Sequence, residues 1–359
     1  MSAAAEQYLE PYRTTIDEYG AGELQKEGVD LGHTGYDAGK SYSQTIEVEL
    51  FPSQARALES KGLELDQLTL EKAVGSKSLR QAMNGGDSPN PFYTVYRQFM
   101  EPGGIHDEMK QLAAENPDIV KYQVIGQSLL GKPMAVLKVT KDARHVADNT
   151  RPAVFYSSNN HAREWLAAEV ERRLMKYVIE HKNDAKIAEL LSRTELWFMP
   201  IQNPDGYDYT FTCGQGPENH LCGPGEDDDN RLWRKTLRDN NSNGIFGDDE
   251  DGVDPNRNYP AKRAIDEEGA TNEWDDGTYR GPKALSEPEN LAFDRLLRKI
   301  DFKANVNYHT SGQLLLTPVS YITDYAPVDA TIFNAMTGTD GDGAVEPYTP
   351  QRSSDLYES

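Results

Sequence analysis

The sequence predicts an α/β fold with a mixed, mostly parallel sheet covered by helices on both faces, preceded by a small α+β domain. Short apolar runs such as 153–157 and 195–201 have the length of buried strands. Segments with helical apolar spacing separate these runs, and strands that alternate with helices favour a largely parallel, doubly covered sheet. The first seventy residues carry a weak repeat of their own, which predicts the small domain.

The repeat has an offset of 34 residues. Segments 23–31 and 57–65 resemble each other at this offset, with Gly28 and Gly62 in equivalent places. Apolar side chains alternate just before each segment, as they do in half-buried strands. Each copy therefore predicts a strand, a short helix, a glycine at the helix end and a second strand. Two copies give a β-α-β-β-α-β arrangement.

The domain boundary is predicted from composition. Residues 73–91 are rich in Gly, Ser, Asn, Asp and Pro, which is typical of a linker. We therefore expect a small domain at 1–72, a linker at 73–91 and a main domain at 92–359.

The main domain is predicted to begin with a helix. Apolar residues recur at helical spacing from Ile105, and the helix is expected to end at Asn116 because Pro117 follows. Turn residues bound the apolar segments beyond it, including the strong turn signal Asn203–Gly206. The predicted strands are 120–125, 135–140, 153–157, 195–201, 305–309 and 314–317.

Two further helices are predicted from apolar faces. The first follows strand 153–157, and its expected buried face repeats every four residues: Leu166, Val170, Leu174 and Val178. The second begins at a capping box, Ser286 to Glu289, with proline at an early helical position. Its expected buried face consists of Phe293, Leu296, Leu297 and Ile300.

Composition excludes two kinds of partner. The net charge of −22 comes without a basic stripe, so we expect no binding to nucleic acid. No apolar run approaches the ~18–20 residues of a membrane span, so we expect no membrane insertion. The first residues do not pair a charged segment with an apolar stretch, so no signal peptide is visible.

The two cysteines favour an oxidising compartment. Cys213 and Cys222 close one short Gly/Pro-rich segment, which is typical of a disulfide, and we therefore expect a secreted protein. His220 lies between them, so a small metal site is the alternative, although two thiols and one imidazole are an incomplete zinc set.

A candidate metal-binding pair lies at the predicted turn between strand 153–157 and the next helix. His161 and Glu164 are three residues apart, and positions i and i+3 share one face of a helix. Zinc accepts imidazole nitrogen and carboxylate oxygen, and catalytic zinc sites use three protein ligands and one water. The pair alone is weak, because a histidine at a helix start often serves in capping or packing.

The main domain resembles the zinc metallocarboxypeptidases, the funnelin type that includes the pancreatic A/B and bacterial T enzymes. The resemblance runs from about residue 92 to the last residue and depends on five motifs in the family's order. These are His161-Ala-Arg-Glu164-Trp, Asn203-Pro-Asp-Gly, Asn230-Arg-Leu-Trp-Arg234-Lys, Asp254-Pro-Asn256-Arg257-Asn-Tyr and Asn307-Tyr-His309-Thr-Ser-Gly-Gln-Leu.

The resemblance implies a zinc site and its nearest partner. The family's three metal ligands correspond to His161, Glu164 and His309, which leave one position on the ion for water and a peptide carbonyl. The aspartate that orients the first histidine corresponds to Asp254. A turn-starting aspartate before proline is the alternative for Asp254.

The resemblance also implies substrate-binding residues. Asn256 and Arg257 correspond to the pair that holds the free C-terminal carboxylate, a group that arginine binds through two hydrogen bonds. Arg234 corresponds to the arginine that stabilises the tetrahedral oxyanion, and Arg163 to an outer subsite arginine. Arg231 and Arg238 are expected to be solvated surface arginines.

The resemblance further implies that the catalytic domain is truncated at its C-terminal end. In the family, the general-base glutamate, the tyrosine that covers the substrate and the residue at the base of the specificity pocket all lie downstream of the third ligand. They would lie beyond Ser359, and Tyr357 and Glu358 match the stretch before them. We therefore expect the sheet to be incomplete and the activity of the isolated chain to be low. The side-chain preference is not predicted.

A twelve-residue loop fits the pattern of a calcium site. Asp239, Asn241, Asn243 and Glu250 fall at ligand positions 1, 3, 5 and 12, with Gly244 at position 6. The alternative is an acidic surface loop.

Together these observations predict a monomeric, secreted zinc metallocarboxypeptidase that hydrolyses the C-terminal bond of peptides and proteins. Its cofactor is one catalytic Zn²⁺, with Ca²⁺ as a possible structural ion. One alternative is a zinc amidohydrolase that acts on cell-wall peptides. The other is a non-catalytic module that binds zinc and peptide termini.

Overall fold

The computed structural model describes residues 10–27, 29, 31, 42–50, 52–67, 96–214, 220–221, 229–265, 269–312, 314–321, 328–337 and 349–355. The chain divides into two compact units. One unit comprises residues 1–85, 264–271 and 311–359, and the other comprises 86–263 and 272–310. The domain limits at 72 and 92 stay a prediction.

The first unit begins with an antiparallel sheet and two helices. Its elements are β1 (Glu10–Ile16), α1 (Glu18–Lys26), β2 (Gln44–Leu50), α2 (Pro52–Ser60) and β3 (Leu65–Gln67). The strand order is β2-β1-β3, and both neighbours run antiparallel to β1. Alternate strand residues such as Ile16 and Val48 pack with Leu24 and Leu58 of the helices. One face of the sheet is therefore buried under both helices.

The ends of α1 and α2 share one hydrogen-bond pattern. The amide of Val29 donates to the carbonyl of Leu24 at 3.0 Å, and the amide of Leu63 donates to that of Leu58 at 3.1 Å. These are the same bonds at the predicted offset, and both are helix-ending bonds of the Schellman kind. The strand predicted after α1 falls mostly on residues outside the described ones and stays a prediction, although Leu31 itself lies in a 3-10 turn. Its side chain joins the buried core from that turn, so burial does not require strand pairing.

The second unit contains a five-stranded sheet. The strand order is β10-β6-β7-β5-β4, and four of the five strands run in one direction, with β5 reversed. The predicted mixed, mostly parallel sheet is confirmed. The elements are α3 (Ile105–Glu115), β4 (Val120–Gln127), β5 (Pro133–Val139), β6 (Ala153–Ser158), α4 (Trp165–Glu180), α5 (Ala185–Arg193), β7 (Glu195–Met199), α6 (Pro204–Tyr209), β8 (Thr212–Cys213), β9 (His220–Leu221), α7 (Pro288–Lys299) and β10 (Phe302–Tyr308).

Helices cover both faces of this sheet. On one face, Leu137 and Phe198 pack in a buried cluster with residues of α3 and α4. On the other face, neighbouring strand residues such as Val136 and Trp197 pack with Phe293 of α7. Successive strand residues point to opposite faces, so near-continuous apolar strands mark a sheet buried on both sides.

The predicted buried face of α4 is wrong at Leu166 and Val170 but confirmed at Val178, and Leu174 is half-buried against the core. Leu166 is 41% exposed and Val170 is 43% exposed, whereas Ala168 and Met175 are buried. The buried face also carries Glu169, Glu171 and Arg172, and Arg172 forms ion pairs with Glu108 of α3 and with Glu169. Charges that are paired across elements make a buried helix face look polar in the sequence.

Two predicted helix starts differ in detail. The Asn203 side chain accepts a hydrogen bond from the amide of Gly206 at 3.0 Å, so the predicted turn caps a short helix, α6. At α7 the capping position belongs to Glu287 rather than Ser286, with Pro288 as the first helical residue.

The later part of the first unit holds β11 (Leu314–Thr317), α8 (Ala330–Thr337), β12 (Thr349–Arg352) and a 3-10 turn at Ser353–Asp355. Strands β11 and β12 pair in parallel as a separate two-stranded sheet. In the part of the chain that the structure describes, no helix has both the length and the apolar character needed to cross a bilayer.

Candidate metal centre

The candidate metal centre lies at one edge of the five-stranded sheet, where β6 and β10 end. These strands are parallel neighbours, so their carboxyl ends meet at the same edge. His161 follows the end of β6 after a short turn, and His309 follows β10 directly. Glu164 occupies the N-cap position of α4. Two adjacent strands and one helix start therefore bring the three predicted ligands together.

Asparagines hold the turns in place. Asn159 has a φ of +56°, and its side-chain amide donates to the carbonyl oxygens of His161 and Ala162, both at 3.2 Å. The Asn307 side chain donates to that of Asn160 at 3.3 Å, which joins β10 to the turn after β6. We did not predict either role, although asparagine tolerates left-handed backbone and is common in such turns.

The distances between the ligand atoms suit a single ion. The Nδ1 atoms of His161 and His309 lie 3.3 Å apart. The two oxygens of Glu164 lie 2.7 Å from Nδ1 of His161 and 3.0 Å from Nδ1 of His309. Two atoms bonded to zinc at ~2.0–2.1 Å with a tetrahedral angle are about 3.3 Å apart. The residues present therefore fit a zinc ion.

The charges around Glu164 favour its ionised form. His161 and Glu164 are buried, while the side chain of His309 is 27% exposed, which leaves one open side. Burial by itself would raise the pKa of Glu164, but the nearby charges of His161 and His309 outweigh it and hold that pKa well below its usual value. Glu164 is therefore a carboxylate at neutral pH, the form that binds a cation.

Asp254 connects the ligands to Arg234. Its Oδ1 lies 3.3 Å from Nε2 of His161, and its Oδ2 accepts a hydrogen bond from Nη2 of Arg234 at 2.8 Å. Burial by itself would raise the pKa of Asp254, but the charges of Arg234 and His161 hold it well below its usual value. The carboxylate thus faces the ring nitrogen of His161 that does not face His309.

Arg234 is buried and bonded on two sides. Besides Asp254, it donates through Nε to the carbonyl oxygen of Gly277 at 3.1 Å. Its own carbonyl accepts a hydrogen bond from the amide of Ala162, next to His161, at 3.0 Å. The guanidinium is therefore fixed next to Asp254, which lies between Arg234 and His161.

The predicted carboxylate-binding pair follows Asp254 in the chain. Asn256 and Arg257 lie in a 3-10 turn, Pro255–Arg257, that the Asp254 side chain caps by accepting from the Asn256 amide at 2.8 Å. Both side chains are half-buried. The charge of Arg257 contributes to the low pKa of Asp254, so its guanidinium lies within electrostatic reach of the centre.

Arg163 is half-buried, and its carbonyl oxygen accepts a hydrogen bond from Arg231 at 2.8 Å. The guanidinium of Arg231 stacks on the Trp165 ring at 3.7 Å. Arg231 is therefore buried, and the expectation of a solvated arginine is wrong. Arg238 also differs from that expectation, because it is bonded to Glu287 at 2.7 Å.

The other predicted features lie outside this centre. Cys213 is disulfide-bonded, and Cys222 lies outside the described residues, so their pairing stays a prediction. In the candidate calcium loop, Asp239 accepts hydrogen bonds from the amides of Asn243 and Gly244 at 3.1 and 2.9 Å. Within the described ranges, only His161, Glu164 and His309 form a converging group of at least three His, Cys, Asp or Glu side chains.

The family model described as zinc carboxypeptidase matches residues 105–351 of this sequence. The chain belongs to the zinc carboxypeptidase family. Mouse carboxypeptidase A4 is 31% identical over 225 residues, which are 62% of this chain and 47% of that protein. Human carboxypeptidase B is 31% identical over 215 residues, which are 59% of this chain and 45% of that protein. The chain spans about half the length of the curated relatives it matches.

Solved structures of the family share the fold. A crystal structure of thrombin-activatable fibrinolysis inhibitor has a TM-score of 0.66 at 22% identity, covering 98% of this chain and 85% of that chain. Carboxypeptidase A from Helicoverpa armigera has a TM-score of 0.59 at 18% identity, covering 92% of this chain and 76% of that chain. These likenesses confirm the α/β carboxypeptidase fold.

Proposed function

We propose that the protein carrying this chain is a zinc-dependent metallocarboxypeptidase that hydrolyses the C-terminal peptide bond of its substrates. The convergence of His161, Glu164 and His309 at distances that fit one zinc ion carries this proposal. Family membership supports the same reaction class.

The chain's own residues would position the reacting groups. A bound zinc supplies Lewis-acid chemistry, which polarises a carbonyl and lowers the pKa of water toward ~7. Asp254 holds the His161 ring in one orientation through Nε2, which leaves Nδ1 for the metal. Arg234 is held by Asp254 and supplies a fixed positive charge near the ligands. Such a charge would stabilise the oxyanion that develops at the attacked carbonyl.

The carboxylate clamp would define the enzyme as an exopeptidase. Asn256 and Arg257 lie two and three residues after Asp254, on a turn that Asp254 caps. A guanidinium binds a carboxylate through two hydrogen bonds, so Arg257 favours substrates with a free C-terminus. Arg163 follows His161 by two residues and would contact substrate further from the scissile bond.

Replacing Arg257 tests the clamp. We expect Arg257→Met to weaken binding of peptides with a free C-terminus by ~10–100-fold, because a hydrogen-bonded charge pair contributes ~1.5–3 kcal/mol. Binding of the same peptides with amidated C-termini should change little. The measurement is peptide affinity of the zinc-loaded protein by calorimetry, with Arg298→Met as control, since Arg298 is an exposed arginine that pairs with Asp294 on α7. An equal loss for both peptide forms would contradict the assignment.

Hydrolysis and binding assays with zinc-loaded protein separate the alternatives. Release of C-terminal amino acids from peptides with a free carboxylate supports the carboxypeptidase. Cleavage restricted to cell-wall peptides would favour the zinc amidohydrolase, and zinc-dependent binding without cleavage would favour the binding module.

Peptide and protein C-termini are the substrates we propose. A bovine relative was crystallised with tick carboxypeptidase inhibitor, at 26% identity and a TM-score of 0.53 over 68% of this chain and 70% of that chain.

We also propose a structural calcium site in the loop from Asp239 to Glu250. The loop is exposed and already turns around the Asp239 carboxylate, which would bring oxygens of Asn241 and Asn243 to one side. Millimolar calcium should raise the melting temperature through binding linkage, and Glu250→Gln should remove the rise. A melting curve that calcium leaves unchanged would support the acidic-loop alternative.

We propose secretion as the location and a monomer as the functional state. The disulfide at Cys213 supports an oxidising compartment, because such bonds persist there and are rare in the cytosol.

A further inference from the structure

Glu171 is a buried carboxyl group that the proposed mechanism does not use. It lies on the sheet-facing side of α4, seven residues after Glu164, and is fully buried. Its Oε1 accepts a hydrogen bond from the amide of Met199, the last residue of β7, at 2.7 Å. Its Oε2 has no hydrogen-bond partner among the described residues. A helix side chain thus satisfies a backbone group at the end of a central strand.

The carboxyl group also lies beside β6 and β10. The hydroxyl of Ser158, the last residue of β6, is close enough to affect the Glu171 pKa, and it donates to the carbonyl of Pro200 at 2.8 Å. Tyr308, the last residue of β10, has its pKa raised by burial first and then by the nearby Glu171 charge. The group therefore lies among the ends of three neighbouring strands.

These elements are the ones that carry the predicted metal ligands. The chain passes from Ser158 through a two-residue turn to His161, and from Tyr308 directly to His309. Glu164 caps the same helix that carries Glu171. A displacement of α4 against the strand ends would move all three ligand atoms relative to one another, because each is only a few residues away from the contact.

We propose that Glu171 is a positioning residue of the metal centre, which fastens α4 to the end of β7, beside the ends of β6 and β10, and so holds the ligands at their mutual distances. The proposal rests on the proposed function in taking the centre to be a zinc site. Loss of groups that hold metal ligands in place typically costs ~10–100-fold in metal affinity. We expect that range for Glu171, although it acts through the backbone rather than through a ligand side chain.

Glu171 performs this role as a neutral acid. Burial raises its pKa to about 8, against smaller opposing effects of Ser158 and the Met199 amide. Among the described residues, the phenol of Tyr308 is a titratable group whose pKa responds to Glu171. A glutamine side chain is neutral, has the same length and keeps an acceptor oxygen for the Met199 amide. Glu171→Gln should therefore preserve the contact.

Glu289 offers a matched control on α7. It is also buried, burial also raises its pKa to about 8, and its Oε2 also has no partner in the described part of the chain. Its Oε1 accepts from the amide of Leu129 at 2.9 Å, in the turn between β4 and β5. That turn carries no predicted ligand. The two residues match in burial, in the direction of the pKa shift and in bonding one backbone amide. They differ in the element they bond, which is the end of β7 for Glu171 and the turn between β4 and β5 for Glu289.

The experiment compares Glu171→Leu, Glu171→Gln, Glu289→Leu and Glu289→Gln in the full chain. Zinc affinity is measured by competition with a chromophoric chelator, and the visible spectrum of the Co²⁺-loaded protein reports ligand geometry. We expect Glu171→Leu to weaken zinc binding by ~10–100-fold and to change the Co²⁺ spectrum, with Glu171→Gln close to wild type. Both leucine variants should lower the melting temperature, because each leaves a buried amide without its acceptor, but Glu289→Leu should keep the wild-type zinc affinity.

Should Glu171→Leu not fold, Glu171→Asp provides the second variant. Its carboxyl group is one methylene too short to reach the Met199 amide, so it should show the same loss of zinc affinity. Unchanged zinc affinity in Glu171→Leu and Glu171→Asp, or an equal loss in Glu289→Leu, overturns the proposal. A wild type that binds no zinc at all overturns the proposed function instead, and the role of Glu171 falls with it.

Discussion

Replacing His161 with alanine is expected to abolish zinc binding. The imidazole is buried between Glu164 and Asp254, and its Nδ1 is one of the three ligand atoms that converge. Loss of a ligand should cost more than the ~10–100-fold that loss of an outer partner costs, because only two of the three ligands remain. Metal analysis after dialysis against zinc should find the wild type loaded and the variant empty.

The exposed His145 supplies the control. It lies on the surface of the same unit, away from the ends of β6 and β10, so His145→Ala should keep full zinc occupancy. Equal occupancy in His161→Ala and wild type would mean that the ion binds elsewhere. The geometry at the sheet edge would then need another explanation.

Replacing Asp254 with asparagine is expected to lower both stability and zinc affinity. The substitution leaves the buried Arg234 without its carboxylate, and breaking a buried ion pair from one side costs ~3–5 kcal/mol. It also weakens the partner of His161, with an expected loss of zinc affinity of ~10–100-fold. Chemical denaturation and chelator competition measure the two effects.

The pH dependence of Asp254→Asn follows from the low pKa of Asp254. In the folded protein this pKa lies below its unfolded value, so the aspartate contributes stability above its unfolded pKa of ~3.9 and loses it as pH falls through the folded pKa. The stability difference between wild type and variant should therefore shrink in acid. A difference that stays constant down to the acid range would contradict the low pKa.

A variant of a second buried ion pair separates a general loss of stability from a specific loss of zinc affinity. Lys138 and Glu195 are both fully buried in the central sheet, 3.1 Å apart, in elements that carry no predicted ligand. Glu195→Gln should lower stability in the same direction while zinc affinity stays at the wild-type value. If it weakened zinc binding as much as Asp254→Asn, the loss would reflect general destabilisation rather than the contact with His161.

The sequence predicted the local part of the site better than its long-range part. His161 and Glu164 are three residues apart, so their spacing alone suggests a shared ion. His309 lies 148 residues beyond His161 in the chain, and no local pattern joins them. Their meeting depends on the parallel pairing of β6 with β10, and only the resemblance to a family, not periodicity, placed His309 in the ligand set.

The errors arose where buried charges are paired across elements. The predicted buried face of α4 did not include Arg172, whose partner Glu108 lies on α3. Arg231 looked like a solvated arginine because its stacking partner, Trp165, lies on another element. Glu171 carried no signal at all, since its main partner is a backbone amide. Apolar periodicity predicts the buried apolar faces of helices and strands. It does not predict buried polar side chains whose hydrogen-bond or ion-pair partners lie on other elements.

The most direct test of the zinc centre is a zinc K-edge X-ray absorption spectrum of the zinc-loaded protein. We predict one zinc per chain with only nitrogen and oxygen neighbours at ~2.0–2.2 Å, including the scattering pattern of two imidazoles. A sulfur shell at ~2.3 Å would place the ion at the cysteine segment instead. That result, or the absence of stoichiometric zinc, would contradict a site built from His161, Glu164 and His309.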